Sequence, residues 1–361
     1  MEKIKIYFLY LTLITISSFG IVNAQNLEET LSNLSSTAGK AYVAPVISAF
    51  GSNLNSGWVS MLPEATKLKL HLDLKIIAAG SFFSDEQKSF NTTGNFFFNS
   101  QQVDDIINNT SNSQFLTPQE RANLKNAMLE KEFTVSFSGP TIIGSEKEKL
   151  NILFPAQQVQ ANGQTFNIDS YNLAIDEVKG LLNDISILPT PGVQITGGTV
   201  FGTNVSIRYF PKIKVTDELG DFSLWGIGAI HNPGAFLMKP LPVDFAISYF
   251  TQSMKVGDVF ESTAGQFGVY VGKTIGSFIS FSPFAGLIVE SSKTKVSYDY
   301  QSNETINNEP VPKVKINFES EGENKTGFVI GFNLKLGFIN LNADYKAAKT
   351  NTASAGISFG I

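Results

Sequence analysis

The chain has no cysteine, which excludes a disulfide scaffold and any thiolate metal centre, whatever the redox state of its compartment. It has two histidines, His71 and His231. A metal cluster built on paired imidazoles would need both in one place, and a Ser/His/Asp arrangement has little to draw on. Charge is scarce too: Asp, Glu, Lys and Arg make up 16% of the residues, against roughly 25% in an ordinary soluble domain. The formal net charge of −5 leaves no basic excess to release counterions from phosphates, so no nucleic-acid partner is expected. After residue 24 no segment reaches the ~18 unbroken apolar residues of a membrane helix. The glycine pairs Gly197-Gly198 and Gly226-x-Gly228 lack the third glycine of a dinucleotide fingerprint. The expectation is therefore a chain that is not an enzyme and carries no cofactor and no metal.

What is present begins with a leader. Glu2-Lys3-Ile4-Lys5 gives a basic start, Ile6 to Ile16 an almost wholly apolar run, and Val22-Asn23-Ala24 a small-residue cleavage site. Residues 1–24 thus read as a cleaved signal peptide, with the mature chain starting at Gln25. The apolar core is too short for a comfortable anchor, and no cysteine follows the cleavage site, which argues against a lipoprotein.

The clearest signal in the mature chain is a period of two. Leu68, Leu70, Leu72, Leu74 and Ile76 alternate with Lys67, Lys69, His71, Asp73 and Lys75. A transmembrane strand must hold such alternation for about 9–11 residues, apolar toward lipid and polar toward the lumen. Similar runs recur around Val205–Tyr209, Val243–Tyr249, Phe267–Val271 and Val314–Phe318, and Phe328 to Phe338 forms one long apolar face. Turn chemistry separates them at Asp217-Glu218-Leu219-Gly220, at Glu321-Gly322-Glu323-Asn324 and along Ser302 to Pro312, which reads as a long external loop. The sequence ends in a strand, with Ala353, Ala355, Ile357, Phe359 and Ile361 on one face. In a closed barrel that strand pairs with the first and leaves no edge unsatisfied in lipid.

Helical spacing appears before the strands. Leu27, Leu31 and Leu34, then Val46, Phe50 and Leu54, predict two short helices between Asn26 and Trp58, broken around Ala44-Pro45. Thr117-Pro118-Gln119-Glu120 is a capping box that opens a helix to about Lys131, and Tyr171 to Asn183 reads as a weaker amphipathic helix. Neither is fit to span a membrane; both belong in loops or in a luminal plug. The fold expected is all-β, a transmembrane antiparallel barrel of about 12 strands (range roughly 10 to 14). Its organisation is a signal peptide over 1–24, an N-terminal helical hatch or periplasmic segment over 25–65, and the barrel over 66–361.

Several segments carry a family resemblance. Leu188-Pro189-Thr190-Pro191-Gly192-Val193-Gln194-Ile195 through Val205-Ser206-Ile207-Arg208-Tyr209-Phe210-Pro211-Lys212 resembles a Bacteroidetes family of outer-membrane barrels of unknown function. Gly228-Ala229-Ile230-His231-Asn232-Pro233 with Pro242-Val243-Asp244-Phe245-Ala246 looks like that family's strand, crossing segment and next strand. Tyr42-Val43-Ala44-Pro45 and Asn55-Ser56-Gly57-Trp58 resemble its N-terminal region. The likeness would cover essentially the whole mature chain and implies no particular activity. More distantly, the arrangement is similar to barrels with an N-terminal luminal hatch that pass hydrophobic compounds.

The functional candidates are residues that alternation turns toward the lumen: Lys67, Lys69, His71, Asp73, Lys75 and Arg208. Cations there attract anionic solutes; the plainer alternative pairs them with carboxylates such as Asp73, Asp244 or Glu319 to fill the interior. Trp58, Tyr249, Tyr298, Tyr300 and Tyr345 are candidates for interfacial aromatic girdles. These features predict an outer-membrane protein in contact with lipid. Its most direct role is a passive channel or facilitator for a small solute, hydrophobic solutes included. A non-conducting barrel that presents long loops to a partner is the second reading, and a secreted soluble β-sandwich the third.

Overall fold

A computed structural model describes residues 36–176, 178–182, 185–216, 220–239, 241–300, 305–306, 309–310 and 314–360. The expected leader, residues 26–35 of the first expected helix, Asp217-Glu218-Leu219, most of the Ser302–Pro312 loop and Ile361 lie outside the described residues.

The chain enters as helix α1 (Ser36–Leu54) and then forms β1 (Leu68–Phe82). A separate unit follows, of β2 (Ser89–Phe96), α2 (Ser100–Asn108), α3 (Pro118–Leu129), β3 (Phe133–Pro140), β4 (Leu150–Phe154), β5 (Gln157–Ala161), β6 (Gln164–Ile168) and β7 (Tyr171–Ile175). The rest is strand: β8 (Ile187–Val200), β9 (Thr203–Thr216), β10 (Gly220–His231), β11 (Asp244–Val256), β12 (Phe260–Gly272), β13 (Ile275–Gly276) and β14 (Ile279–Tyr300). After the short β15 (Thr305–Ile306) and β16 (Glu309–Pro310) come β17 (Val314–Glu321), β18 (Thr326–Leu336), β19 (Ile339–Ala347) and β20 (Thr352–Gly360).

Ten strands close into a ring in the order β1, β8, β9, β10, β11, β12, β14, β18, β19, β20, every pair antiparallel. The seam joins first to last, with Asp73–Ser81 against Thr352–Gly360, as a closed barrel requires. Two further strands of the sheet, β13 and β17, pair only with β14 and stand off the ring. The strand count departs from twelve for that reason: β14 is 22 residues long, its pairing with β18 ends at Val289, and beyond that β17 takes the same edge as a ribbon rather than adding a strand to the ring.

Alternation sorts the two faces. Along β1, Leu70 is 75% and Leu72 53% exposed on the outside while Lys75, Ile77, Ala79 and Ser81 are buried inside. Trp225, Tyr249 and Tyr345 also face outward. An outer face this apolar is unfavourable against water and stable against hydrocarbon. Trp58 does not belong to a girdle: it is buried inside the barrel. The side chains of Tyr298 and Tyr300 lie outside the described residues.

The expected single barrel unit over 66–361 is interrupted by the unit between β1 and β8. Its sheet runs β2-β3-β4-β7, with β5-β6 as a separate hairpin. The capping box opens α3 as expected: the Thr117 hydroxyl accepts from Glu120 N–H, and Thr117 donates back to the Glu120 carboxylate, holding that carboxyl below its ordinary range. The helix expected over Tyr171–Asn183 is absent among the described residues of that stretch. Tyr171–Ile175 pairs with Leu150–Phe154, because Tyr171, Leu173 and Ile175 at period two all reach the same apolar cluster. Gly180 is where this unit is tightest: a Cβ there would fall 1.8 Å from the Gly144 carbonyl oxygen. Gly180→Ala is accordingly expected to cost the unit about 1–3 kcal/mol or more, seen as faster proteolysis within residues 83–186 while the barrel stays resistant.

α1 is continuous through Pro45, so the expected break at Ala44-Pro45 is absent. Proline removes the donor that the Ala41 carbonyl would receive. The neighbouring Tyr42 carbonyl takes the N–H of Ile142 at 3.0 Å, and the buried faces of Val43, Val46 and Ile47 hold the helix in place. One apolar cluster joins α1 to the 83–186 unit and to strand residues Phe210, Leu224, Met254 and Phe260 at that mouth. A second, around Trp58, Phe250, Tyr270 and Phe284, fills the barrel interior.

Candidate functional site

The interior is occupied by the chain itself. From the 83–186 unit, where the Tyr42 hydroxyl donates to the Lys179 carbonyl, α1 runs into the barrel. Residues 55–66 continue to the opposite mouth and turn back into β1. A ring of ten strands is barely wider than the eight-stranded barrels that side chains alone can fill. A single backbone segment therefore takes up most of its bore. Two cavities beside the segment are each about 10 Å³, the room of a single water.

The segment is bonded to the wall at three heights. Near the 83–186 mouth, Ser52 Oγ donates to the Thr350 carbonyl at 3.0 Å, and Asn53 Nδ2 donates to the Leu188 carbonyl at 2.7 Å and to Thr190 Oγ1 at 2.9 Å. In the middle, three buried cations donate to backbone carbonyls at and just past the end of α1. Lys346 Nζ reaches Ser52 O at 2.9 Å, Arg208 Nη1 reaches Ser56 O at 3.0 Å, and Lys75 Nζ reaches Gly57 O at 2.7 Å. The carbonyl end of a helix carries partial negative charge and unpaired acceptors, which cations satisfy. At the far mouth, Asn232 Nδ2 donates to the Pro63 carbonyl at 2.8 Å and to Asp244 Oδ1 at 3.0 Å.

The middle level is the most elaborate. Lys346 is also ion-paired with Glu290 at 2.8 Å, with both side chains 1% exposed. Arg208 donates to Gln194 Oε1 at 3.0 Å and lies over the Trp58 ring at 4.0 Å, while the other side of that indole stacks on Phe250 at 4.6 Å. The indole N–H donates to Leu54 O at 3.0 Å, and Gln194 Nε2 donates to Trp58 O at 3.0 Å. Gly57 has φ +68°, and a Cβ there would fall 2.2 Å from Ile77 Cδ1 and 2.8 Å from Ser354 Oγ. Only glycine serves at this bend.

Of the six residues that alternation points inward, Lys75 and Arg208 are buried in this latch. His71 and Asp73 are half-buried on the same face of β1, with Asp73 Oδ2 accepting from Asn340 Nδ2 at 3.3 Å. Lys67 precedes the strand and is exposed; Lys69 is exposed at the rim, paired with Glu64. Neither lines the occupied lumen, because the wall there has already reached its edge. Lys75 and Arg208 bind carbonyls rather than carboxylates, while Glu319 pairs with Lys293 and Lys295 on the ribbon.

Sequence reasoning missed Glu290, Asp344, Lys346, Gln194 and the role of Trp58. The alternation of Asn342, Asp344 and Lys346 with Ala343 and Tyr345 carried the signal for two of them. Gly356-Ile357-Ser358-Phe359-Gly360 has the spacing of a nucleophile elbow, but it lies within extended β20 and has no strand-to-helix turn. His231 contacts Thr203 through Nδ1 at 2.9 Å. Among the described residues no three His, Asp or Glu side chains gather as metal ligands.

No curated protein matches the chain. Among solved structures, a loop-deletion mutant of OmpT, an outer membrane protein of Vibrio cholerae, aligns at 8% identity over 82% of this chain and 100% of its own, with a TM-score of 0.21. In-vitro folded OmpT of the same organism gives 8%, 84%, 100% and 0.22 in the same order, and a porin gives 9%, 81%, 100% and 0.19. The barrel itself rests on the strand pairing described above. The model of one family, described as a family of unknown function (DUF6588), matches residues 1–361, and the chain belongs to that family.

Proposed function

We propose that the protein is a closed outer-membrane barrel, without enzymatic activity, that holds its own N-terminal segment in the lumen and presents the 83–186 unit at one face of the membrane. The observation that carries this is the three-level bonding of residues 52–63 to the wall. A segment tied at both mouths and at the middle leaves no continuous aqueous path. The apolar outer face supports a lipid surround. Two-residue turns, 201–202 and 337–338, join strands at the mouth away from the 83–186 unit. Barrels of the outer membrane carry short turns on the periplasmic side and longer loops outside; on this reading the 83–186 unit lies on the cell exterior, available to a partner.

The test is membrane fractionation, heat-modifiable migration and planar-bilayer recording of the purified protein. Outer-membrane recovery with a mobility shift and no conductance supports the closed barrel. Reproducible single-channel steps from the wild-type protein would replace it with the passive-channel reading, and a soluble protein without a shift would overturn both.

A further inference from the structure

The 83–186 unit turns one face of its sheet to water. Along β2, β3, β4 and β7 every second side chain enters the apolar cluster, Val135, Phe137, Leu150 and Ile152 among them. Leu124 and Met128 of α3 and Val159 of β5 belong to the same cluster, so those elements cover that side. The alternate positions point away from it. On β2 they are Asn91, Thr93 and Asn95, paired in register with Ser138, Ser136 and Thr134 of β3. Across β4 and β7 the face continues with Asn151 against Ala174 and Leu153 against Asn172. All of these residues are exposed or half-exposed.

The face carries no charge. Asn, Ser and Thr fill it apart from Leu153 and Ala174, and charge stands only at its two ends, as Glu132 and as the Lys149–Asp176 ion pair. The β14–β17 ribbon is built differently: its exposed positions are Lys293, Lys295, Glu319 and Glu321, joined by ion pairs. A sheet that merely meets water is expected to resemble the ribbon, because charged side chains also keep strand edges from pairing with other chains. Here the side chains of Asn91, Thr93, Ser136, Ser138 and Asn172 bond to no other group among the described residues. Their donors and acceptors are open to a ligand. Phe97, one residue past β2 and beyond Asn95, is 57% exposed and adds an aromatic ring at that end.

From this we infer that the open face of the β2-β3-β4-β7 sheet is a docking site for neutral carbohydrate. Amides and hydroxyls, each able to donate and accept, match the hydroxyls of a sugar. A charged partner would lose hydration on this surface and find no opposite charge in return. The face of the Phe97 ring is negative and receives the C–H face of a sugar ring. Size and composition argue against a protein partner. Four strands about 4.8 Å apart, with the longer pair about 26 Å in length, present on the order of 400 Å², half of the roughly 800 Å² per side of a stable protein interface. Such an interface also has an apolar core, for which Leu153 and Phe97 alone are too little. The inference rests on the proposed placement of the 83–186 unit outside the membrane. Glycan binding is read separately from conductance.

The experiment uses the full chain, folded in detergent and checked by heat-modifiable migration. It is applied to an array of immobilised neutral oligosaccharides of glucose, mannose, galactose and N-acetylglucosamine, beside sulfated and uronic-acid glycans. The expected result is retention of neutral glycans and none of acidic ones. Phe97→Ala should weaken that binding by about tenfold, and Ser136→Lys, which sets a charge in the middle of the face, should abolish it. Gln158→Lys, exposed on the separate β5–β6 hairpin, should leave it unchanged. Failure to bind any neutral glycan, equal binding of acidic ones, or binding that Ser136→Lys does not move would overturn the site. Self-association of the wild-type protein that Ser136→Lys abolishes would give the face to a second copy of the chain instead. A wild-type protein that binds as expected yet conducts would overturn the closed lumen and leave the docking face standing.

Discussion

Replacing Glu290 with Gln should lower the stability of the folded barrel by about 3–5 kcal/mol, the usual cost of removing one partner from a buried ion pair. The reason is local. Lys346 Nζ meets both oxygens of Glu290 at 2.9 and 2.8 Å and the Ser52 carbonyl at 2.9 Å, with no access to water. Without the carboxylate, a full positive charge stays buried against an amide and one carbonyl. The midpoint of the mobility shift on heating, or of urea unfolding in detergent, reports the loss. The double variant Glu290→Met with Lys346→Met should recover most of it, because a buried pair exchanged for apolar residues of similar size is often neutral or better. If the double variant were as unstable as the single one, the hydrogen bond from Lys346 to Ser52, rather than the pair, would be what matters.

How far the sequence anticipates this arrangement depends on the kind of pattern involved. Strands with one face in hydrocarbon must alternate, so β1, β9, β11, β12, β18 and β20 are readable from Leu68, Val205, Phe245, Phe267, Phe328 and Ile357 onward. The pairing of last strand with first follows from closure. The plug is only half readable. Val46, Phe50 and Leu54 show a helix, but the polar residues Ser52, Asn53, Asn55 and Ser56 look like the wet face of a surface helix. In the barrel they are buried, because the wall they meet is polar as well. Trp58 reads as a girdle residue for the same reason: sequence shows an aromatic near a strand but not which side of the wall it faces. The 83–186 unit is opaque because its strands are short. β4 to β7 have five residues each, too few for alternation to be told from a helical face. The Glu290–Lys346 pair spans 56 positions, and no local pattern connects them.

Trp58→Ala is expected to have the largest effect on closure. The indole fills the space between Phe250 and the Arg208 guanidinium, and truncating a buried tryptophan costs about 3–5 kcal/mol. The cation–π contact, worth up to about 2 kcal/mol when desolvated, goes with it. The loss falls on the plug rather than on the strand ladder, since no ring pairing involves residue 58. The barrel should therefore stay folded and heat-modifiable while residues 55–63 loosen. Planar-bilayer recordings should then show brief, irregular openings absent from the wild-type protein, and residues 55–63 should become sensitive to protease. Polar bonds would still tie the segment, among them those of Asn53 to Leu188 and Thr190, of Lys346 to Ser52, of Lys75 to Gly57 and of Asn232 to Pro63. Openings should accordingly be rare, and adding Glu290→Gln should lengthen them, because the two changes weaken adjacent carbonyl contacts of one segment and are expected to couple. A Trp58→Ala protein as silent as the wild type would mean that polar bonds alone hold the plug, and that the aromatic stack serves only to fill the bore.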